Sequence, residues 1–278
     1  MKNSILIYTP AKLNLFLRVM GRKKNGYHVI RSGITFINLF DELTVKLSEE
    51  NKITYTGPFK PKKGSYDDCI ILRTLDFLKL NKNVCLDINI RKNIPVKGGL
   101  GSASTNAAAL INALIKMNLV KKDKLDNYVN LGADIPCLLY QKNCLVTDIG
   151  QIITPATYPK YYFLLVMPVF NNSTNDMYNK LGFEIGSFDE NSSIENFDID
   201  EMDTGNDFEK IMINKEESFT DVFEFLEKLD NVIFVRMTGS GSCLYAVFNS
   251  KTQAIKAQEE FNNNFKELWS SVSENNFN

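Results

Sequence analysis

The chain has 278 residues, with 32 Lys plus Arg against 33 Asp plus Glu and a formal charge of -1. That balance offers no basic field to hold nucleic acid, and apolar and charged fractions of 44% and 23% are those of a folded globular protein. Five scattered cysteines without a Cys-x-x-Cys pair, and a single histidine, supply neither a disulfide framework nor a zinc ligand set; reduced, mostly buried thiols are expected, as in an intracellular protein.

The opening stretch "MKNSILIYTPAKLNLFL" is interrupted by Pro10 and Lys12 before a signal-peptide core forms. "SILIY", "LNLFLRVMG" and "ELTVKLS" carry the β-branched and alternating residues of strands, whereas "DCIILRTLDFLKL" repeats apolar residues at three and four, as a helix does. "VCLDINI" places Val84, Leu86, Ile88 and Ile90 on one face of a strand, and "NAAALINALIKMN" predicts the helix that follows a glycine-rich loop. After Gly150 comes an apolar strand, "YFLLVMPV"; the whole run "YYFLLVMPVF" is far shorter than the roughly 18 to 20 residues that cross a bilayer. A cytoplasmic protein without a membrane partner is therefore expected.

Residues 183–209 are acidic and aperiodic, the best candidate for a mobile surface segment. "FTDVFEFLEKL" then predicts a helix, "IFVRMTGSGSCLYAVF" two strands around a glycine turn, and "SKTQAIKAQEEFNNNF" a final helix. No repeat is evident, and a boundary near residues 150–160 would split the chain into two modest domains.

The segment "PVKGGLGSASTNAAAL" is the first with chemical content. Gly98, Gly99 and Gly101 allow backbone amides to approach an anion, Ser102, Ser104 and Thr105 add hydroxyls, and Ala107, Ala108 and Ala109 start a helix at once. It is neither a P-loop, lacking Lys-Ser/Thr after the glycines, nor a dinucleotide fingerprint, lacking the third glycine. By itself it leaves a phosphate cradle and a plain helix cap open. Lys12 reads as a strand lysine with its head in water or as a catalytic cation. His28, beside Tyr27 after the turn-forming Asn25-Gly26, reads as an ordinary hydrogen-bonded imidazole or as a ligand contact. Asp134 in "LGADIPCLLY" sits in apolar company, where it caps a helix or pairs with a cation such as a lysine.

The ordered set "PAKLNLFLRV", "NGYH", "PVKGGLGSASTNAA", "GADIP", "NDFE" and "MTGSGSCLYAVF" closely resembles the GHMP family of small-molecule kinases, from about Pro10 to Phe248. The resemblance implies a two-domain α+β fold: residues 1–153 a ribosomal-protein-S5-like, ATP-binding part, and 154–278 a ferredoxin-like α/β sandwich. It implies an ATP- and Mg²⁺-dependent phosphotransferase acting on a small alcohol, working as a monomer or weak homodimer. Lys12 and Asp134 would form the catalytic pair. Pro95, Val96, Lys97, Gly98, Gly99, Leu100, Gly101, Ser102, Ala103, Ser104 and Thr105 would wrap the nucleotide phosphates, with Ser102 or Ser104 nearest magnesium and Ser104 assigned to it. "PAKLNL" with "GYH" is similar to the branch whose alcohol carries a cytidylyl group, which Asn14, Tyr27, His28, Thr174 and Tyr178 would contact. Kinases of the homoserine or mevalonate type, or a non-catalytic nucleotide-binding module, are the alternatives. Two departures stand out: Gly-Ser-Ala-Ser-Thr follows Leu100 where that branch usually carries "GLGGGSS" or "GLAGGSS", and Asp68 stands where an asparagine commonly meets adenine.

Overall fold

The computed structural model describes residues 4–61, 69–81, 83–168, 173–189 and 205–275. Asp68 and most of the acidic segment fall outside them. One mixed sheet, one antiparallel sheet and seven α-helices make up the described fold, which is α+β.

The first sheet is built on a long antiparallel hairpin, β1 (Ser4–Arg22) and β2 (His28–Ser48). "SILIY" and "LNLFLRVMG" are thus one strand, continuous across Pro10; the proline is accommodated because the register shifts by a bulge between Pro10 and Ala11. β1 lies along one edge of β2, while β4 (Cys85–Arg91) and β5 (Cys144–Asp148) share the other. β3 (Lys52–Thr56) and β6 (Ile152–Pro155) complete the sheet. Helices α1 (Ile70–Phe77) and α2 (Ser102–Lys116) cover one face, where Leu110 and Leu114 pack on Ile7, Val45 and Ile88. A 3₁₀ turn (Leu125–Asn130) and the short α3 (Ile135–Tyr140) follow α2.

The second sheet has the order β10-β7-β9-β8, with β7 Tyr162–Met167, β8 Val235–Met237, β9 Leu244–Phe248 and β10 Trp269–Glu274. Every pairing in it is antiparallel. Three helices, α4 (Thr174–Lys180), α5 (Glu209–Ile213) and α6 (Glu217–Glu227), lie between β7 and β8, and α7 (Lys251–Asn264) lies between β9 and β10. This is the βαββαβ arrangement of a ferredoxin-like sandwich. α7 opens with a capping box, Ser250 accepting from the Gln253 amide and Gln253 reaching back.

Strands β7 and β9 read as unbroken apolar runs because both faces are covered. Leu164, Val166, Leu244 and Ala246 face the helices, whereas Phe163, Leu165, Tyr245 and Val247 face Leu13, Leu15, Phe16 and Ile37 of the first sheet. The two sheets therefore pack on each other through a shared core, and their loops meet at one end of it. No helix among the described residues is long and apolar enough to cross a membrane.

Candidate active site

Period-two alternation on β1 puts Lys12 and Asn14 on one face, between the bulges at Pro10/Ala11 and Asn14/Phe16. Lys12 is only 3% exposed, so its head is not in water as a strand-edge lysine's would be. Its ammonium donates to Asn14 Oδ1 at 2.5 Å, and its amide donates to the Leu100 carbonyl at 3.1 Å, seating β1 beneath the glycine loop. Asn14 is itself fixed: its Nδ2 donates to Ser32 Oγ at 2.8 Å, its amide to Thr238 Oγ1 at 3.2 Å, and its carbonyl accepts from the Tyr245 hydroxyl at 2.7 Å.

Asp134 occupies the N-cap position of α3, with Pro136 in the first turn, yet its side chain makes no capping bond. Its carboxylate instead lies 3.7 Å from the Lys12 ammonium and is 40% exposed to the cavity. Of the two roles open to it from sequence, ion pairing is the one realised.

The loop between β4 and α2 runs over this pair. Gly101 has φ +74 at the N-cap of α2, and Gly99 has φ +73; a Cβ on Gly99 would stand 2.0 Å from the Thr238 carbonyl. The glycines thus permit a left-handed backbone and direct contact with the turn between β8 and β9. Gly98 accepts from the Cys243 amide at 3.2 Å and Gly99 from the Thr238 hydroxyl at 3.3 Å. The first helical bond of α2 is Thr105 N–H to Gly101 O, which leaves the amides of Ser102, Ala103 and Ser104 without intrahelical acceptors at the positive end of the helix.

The hydroxyls of the loop divide. Those of Ser102 and Thr105, expected to serve phosphates, are spent inside the protein: Ser102 Oγ accepts from Lys92 Nζ at 2.6 Å, and Thr105 Oγ1 shares a 2.5 Å bond with Thr9 and donates to the Pro10 carbonyl at 2.9 Å. Ser104, half-buried, lines the cavity. Lys92 and Asp41 form a buried ion pair beneath α2, which also takes in Asn106 and the amides of Asn93 and Ile94. Burial pulls the Lys92 ammonium below its ordinary range, against the opposing pull of Asp41.

The cavity bounded by these parts has a volume of about 480 Å³ and is closed on the far side by Gly239, Ser240 and Gly241, with Thr174 and Tyr178 of α4. Thr174 Oγ1 and Ser240 Oγ are 2.9 Å apart, joining α4 to the glycine turn. Tyr178 stacks on His28, ring centroids 4.7 Å apart and planes 28° apart, and meets Phe208 edge-on at 5.0 Å. Burial, with the Asp134 charge adding, pushes the Tyr178 phenol well up, so it stays protonated. His28 is lowered by burial and then by Arg22. Tyr27 is 60% exposed at the hairpin tip and does not line the cavity. Lys12, Asn14, Val96 to Ser104, Asp134, Thr174 and Tyr178 are therefore brought together; His28 reaches the site through Tyr178.

One stretch recognised in the sequence but given no role there proves structural to the site. Asn206 Nδ2 donates to the carbonyls of Met237 at 2.7 Å and Gly239 at 2.8 Å, Glu209 accepts from the Met237 amide at 2.7 Å, and Asp207 accepts from the Val19 amide at 2.7 Å. "NDFE" thereby clasps the glycine turn to β1, and its Phe208 lines the cavity. The available signal was two polar side chains flanking a phenylalanine at the end of an acidic tract. The Lys92–Asp41 pair carried no signal beyond a lysine ending an alternating strand.

Comparison with known proteins agrees with this geometry. The profile of the GHMP kinases N terminal domain matches residues 70–142, and that of the GHMP kinases C terminal region matches residues 190–267. With a relative 33% identical over nearly the whole of both chains, the protein belongs to the GHMP kinase family. That relative is the 4-diphosphocytidyl-2-C-methyl-D-erythritol kinase of Pelagibacter ubique (strain HTCC1062), aligned over 281 residues covering 96% of this chain and 97% of its own. A kinase of the same name from Haemophilus ducreyi (strain 35000HP / ATCC 700724) is 29% identical, over 91% of this chain and 89% of its own. A crystal structure of 4-(cytidine 5'-diphospho)-2C-methyl-D-erythritol kinase superposes with a TM-score of 0.75 at 21% identity, covering 97% of this chain and 99% of that one. The mevalonate kinase of Methanococcus jannaschii superposes at 0.61 and 17% identity, covering 99% of each chain. These two likenesses bear on the fold.

Proposed function

We propose that this kinase transfers the γ-phosphoryl group of ATP to the 2-hydroxyl of 4-(cytidine 5'-diphospho)-2-C-methyl-D-erythritol, a step in making isoprenoid precursors by the methylerythritol phosphate route. The observation that carries the chemistry is the buried Lys12 ammonium 3.7 Å from a solvent-reachable Asp134 carboxylate, inside a cavity walled by two glycine turns. Asp134 accepts the proton of the attacking hydroxyl, and Lys12 offsets charge on the transferring group. The amides of the loop and of the first turn of α2 hold the phosphates.

Magnesium fits this site as a companion of the triphosphate. Among the described residues no three His, Cys, Asp or Glu side chains gather to hold a metal, and Ser104 is the loop hydroxyl at the cavity wall able to join its shell. The ion supplies charge neutralisation at the phosphates.

For the alcohol, Asn14 and Thr174 line the cavity beside the catalytic pair, and the His28–Tyr178 stack offers an aromatic face with polar edges for cytosine. Tyr27, one residue before His28, is assigned to the same base. A division near 153/154 into an ATP-binding part, 1–153, and a C-terminal part, 154–278, is supported by the two sheets, whose strands run Ser4–Pro155 and Tyr162–Glu274, β6 alone crossing the boundary. We place the enzyme in the cytoplasm as a monomer or weak homodimer; its near-neutral charge supports small molecules rather than nucleic acid as partners. The test is ADP release by the purified protein with ATP, Mg²⁺ and the cytidylyl alcohol. ADP release that does not depend on that alcohol contradicts the assignment.

A further inference from the structure

Tyr245, on β9, is fully buried in apolar company. Its ring meets Phe163 edge-on at 5.7 Å and Phe234 at 6.3 Å, and Leu13, Leu15 and Phe16 of β1 belong to the same core. Phenylalanine would satisfy that packing, and a hydroxyl taken into such surroundings costs free energy unless it is bonded, so the hydroxyl calls for a use. It donates to the Asn14 carbonyl at 2.7 Å, and burial pushes the phenol well up, so it stays a donor. Arg236 hydrogen-bonds the same phenol and pairs with Glu209 at 3.7 Å, bracing the ring from behind.

The strand that receives this bond carries the catalytic lysine. Asn14 is the last residue before the Asn14/Phe16 register shift, where the ladder to β2 is interrupted. Its amide donates to Thr238 Oγ1 at 3.2 Å, so both backbone polar groups of Asn14 are held by side chains of the β8–β9 hairpin. The Asn14 side chain passes the constraint on: Oδ1 accepts from the Lys12 ammonium at 2.5 Å, and that ammonium stands 3.7 Å from Asp134.

We infer that Tyr245 is a positioning residue of the phosphoryl transfer: its hydroxyl fixes Asn14 beside the bulge, and through Asn14 the Lys12 ammonium, so that the second sheet sets where the catalytic cation stands. The inference deepens the reading of the site proposed above and rests on it.

The experiment compares wild type with Tyr245→Phe, with Thr238→Val, which releases the Asn14 amide in place of its carbonyl, and with Phe261→Leu, a change in the buried core at α7. Asn14→Ala is made alone and together with Tyr245→Phe. Steady-state constants for ATP and the cytidylyl alcohol, the single-turnover rate and the melting temperature are measured for each. Tyr245→Phe is expected to lower kcat and the single-turnover rate about 10- to 100-fold with both KM values within twofold of wild type, as a displaced reacting group does and lost binding does not. Thr238→Val shows the same split. Phe261→Leu lowers the melting temperature but keeps kcat within twofold. Added to Asn14→Ala, Tyr245→Phe lowers kcat less than threefold further, because the residue through which it acts is already gone. A folded Tyr245→Phe with kcat within twofold of wild type, a loss of kcat that Phe261→Leu reproduces, or full additivity with Asn14→Ala overturns the inference and leaves the kinase assignment standing. If Tyr245→Phe does not fold, wild-type kcat in Thr238→Val overturns it instead. A wild type without alcohol-dependent ADP release overturns the kinase reading itself.

Discussion

The Lys12 ammonium and the Asp134 carboxylate lie 3.7 Å apart with opposite access to solvent, side chains 4% and 40% exposed. The asymmetry suits a base that must meet a substrate hydroxyl and a cation that must not leave. Lys12 is locked by Asn14 and by the loop above it, whereas Asp134 makes no capping bond that would hold its carboxylate back. Asp134→Asn keeps the shape and removes the base; kcat is expected to fall by about 10²- to 10⁴-fold, the range of general-base contributions. ATP affinity should change little. A kcat within tenfold of wild type would remove Asp134 from the proton transfer.

The Lys92–Asp41 pair is buried and sets the position of Ser102 at the start of α2. Lys92→Met leaves Asp41 charged, buried and without its cation, which costs about 3–5 kcal/mol. The double variant Lys92→Met/Asp41→Leu is expected to recover part of that loss, since no lone charge remains. Chemical denaturation of the four proteins of this cycle measures the coupling, and equal, additive losses would show that the pair does not act as a unit.

Asn206 ties the second glycine turn, including Gly239, to β1, and a Cβ on Gly239 would stand only 3.4 Å from Lys12 Nζ. Asn206→Ala orphans two buried carbonyls at about 1–3 kcal/mol each. Because the turn forms one wall of the site, kcat is expected to fall at least tenfold, by more than KM for the alcohol changes. A variant that is destabilised but has wild-type kcat would make Asn206 a purely structural residue.

His28 is the chain's single histidine, so its titration can be followed by NMR without ambiguity. Burial and Arg22 lower it, which favours the neutral ring stacked on Tyr178. The midpoint is expected below 6.5. With a folded value below the unfolded one, the stability that depends on neutral His28 is fully present above pH 6.5 and is lost as pH falls through the folded value. The fall in melting temperature on acidification should accordingly be shallower in His28→Gln. A midpoint at or above 6.5 would contradict the burial of this ring.

Much of this was readable in the residues. Periodicity marked α2, α6 and α7, and the glycine loop and glycine turn were visible as composition. β10 was not: Ser270, Ser271 and Ser273 break the apolar alternation of an edge strand whose partner, β7, lies about a hundred residues away. The fates of Ser102 and Thr105 were equally hidden, because which way a hydroxyl turns depends on Lys92, Thr9 and Pro10, distant in sequence. Lys12 and Asp134 were legible as candidates from their apolar settings, and the family resemblance paired them; their spacing, 122 positions apart, carries no such signal, and the 3.7 Å contact is a property of the fold.

The most direct test of the central claim is kcat/KM across a panel of alcohols, with the product of the cytidylyl substrate located by ³¹P NMR. 4-(Cytidine 5'-diphospho)-2-C-methyl-D-erythritol is expected to exceed mevalonate and homoserine by about 10⁴-fold or more, the discrimination reached when a site's polar groups are left unpaired by the wrong substrate. A new phosphomonoester on the 2-hydroxyl is expected, formed one for one with ADP. Comparable or faster turnover of mevalonate or homoserine, or phosphate appearing elsewhere on the alcohol, would contradict that claim.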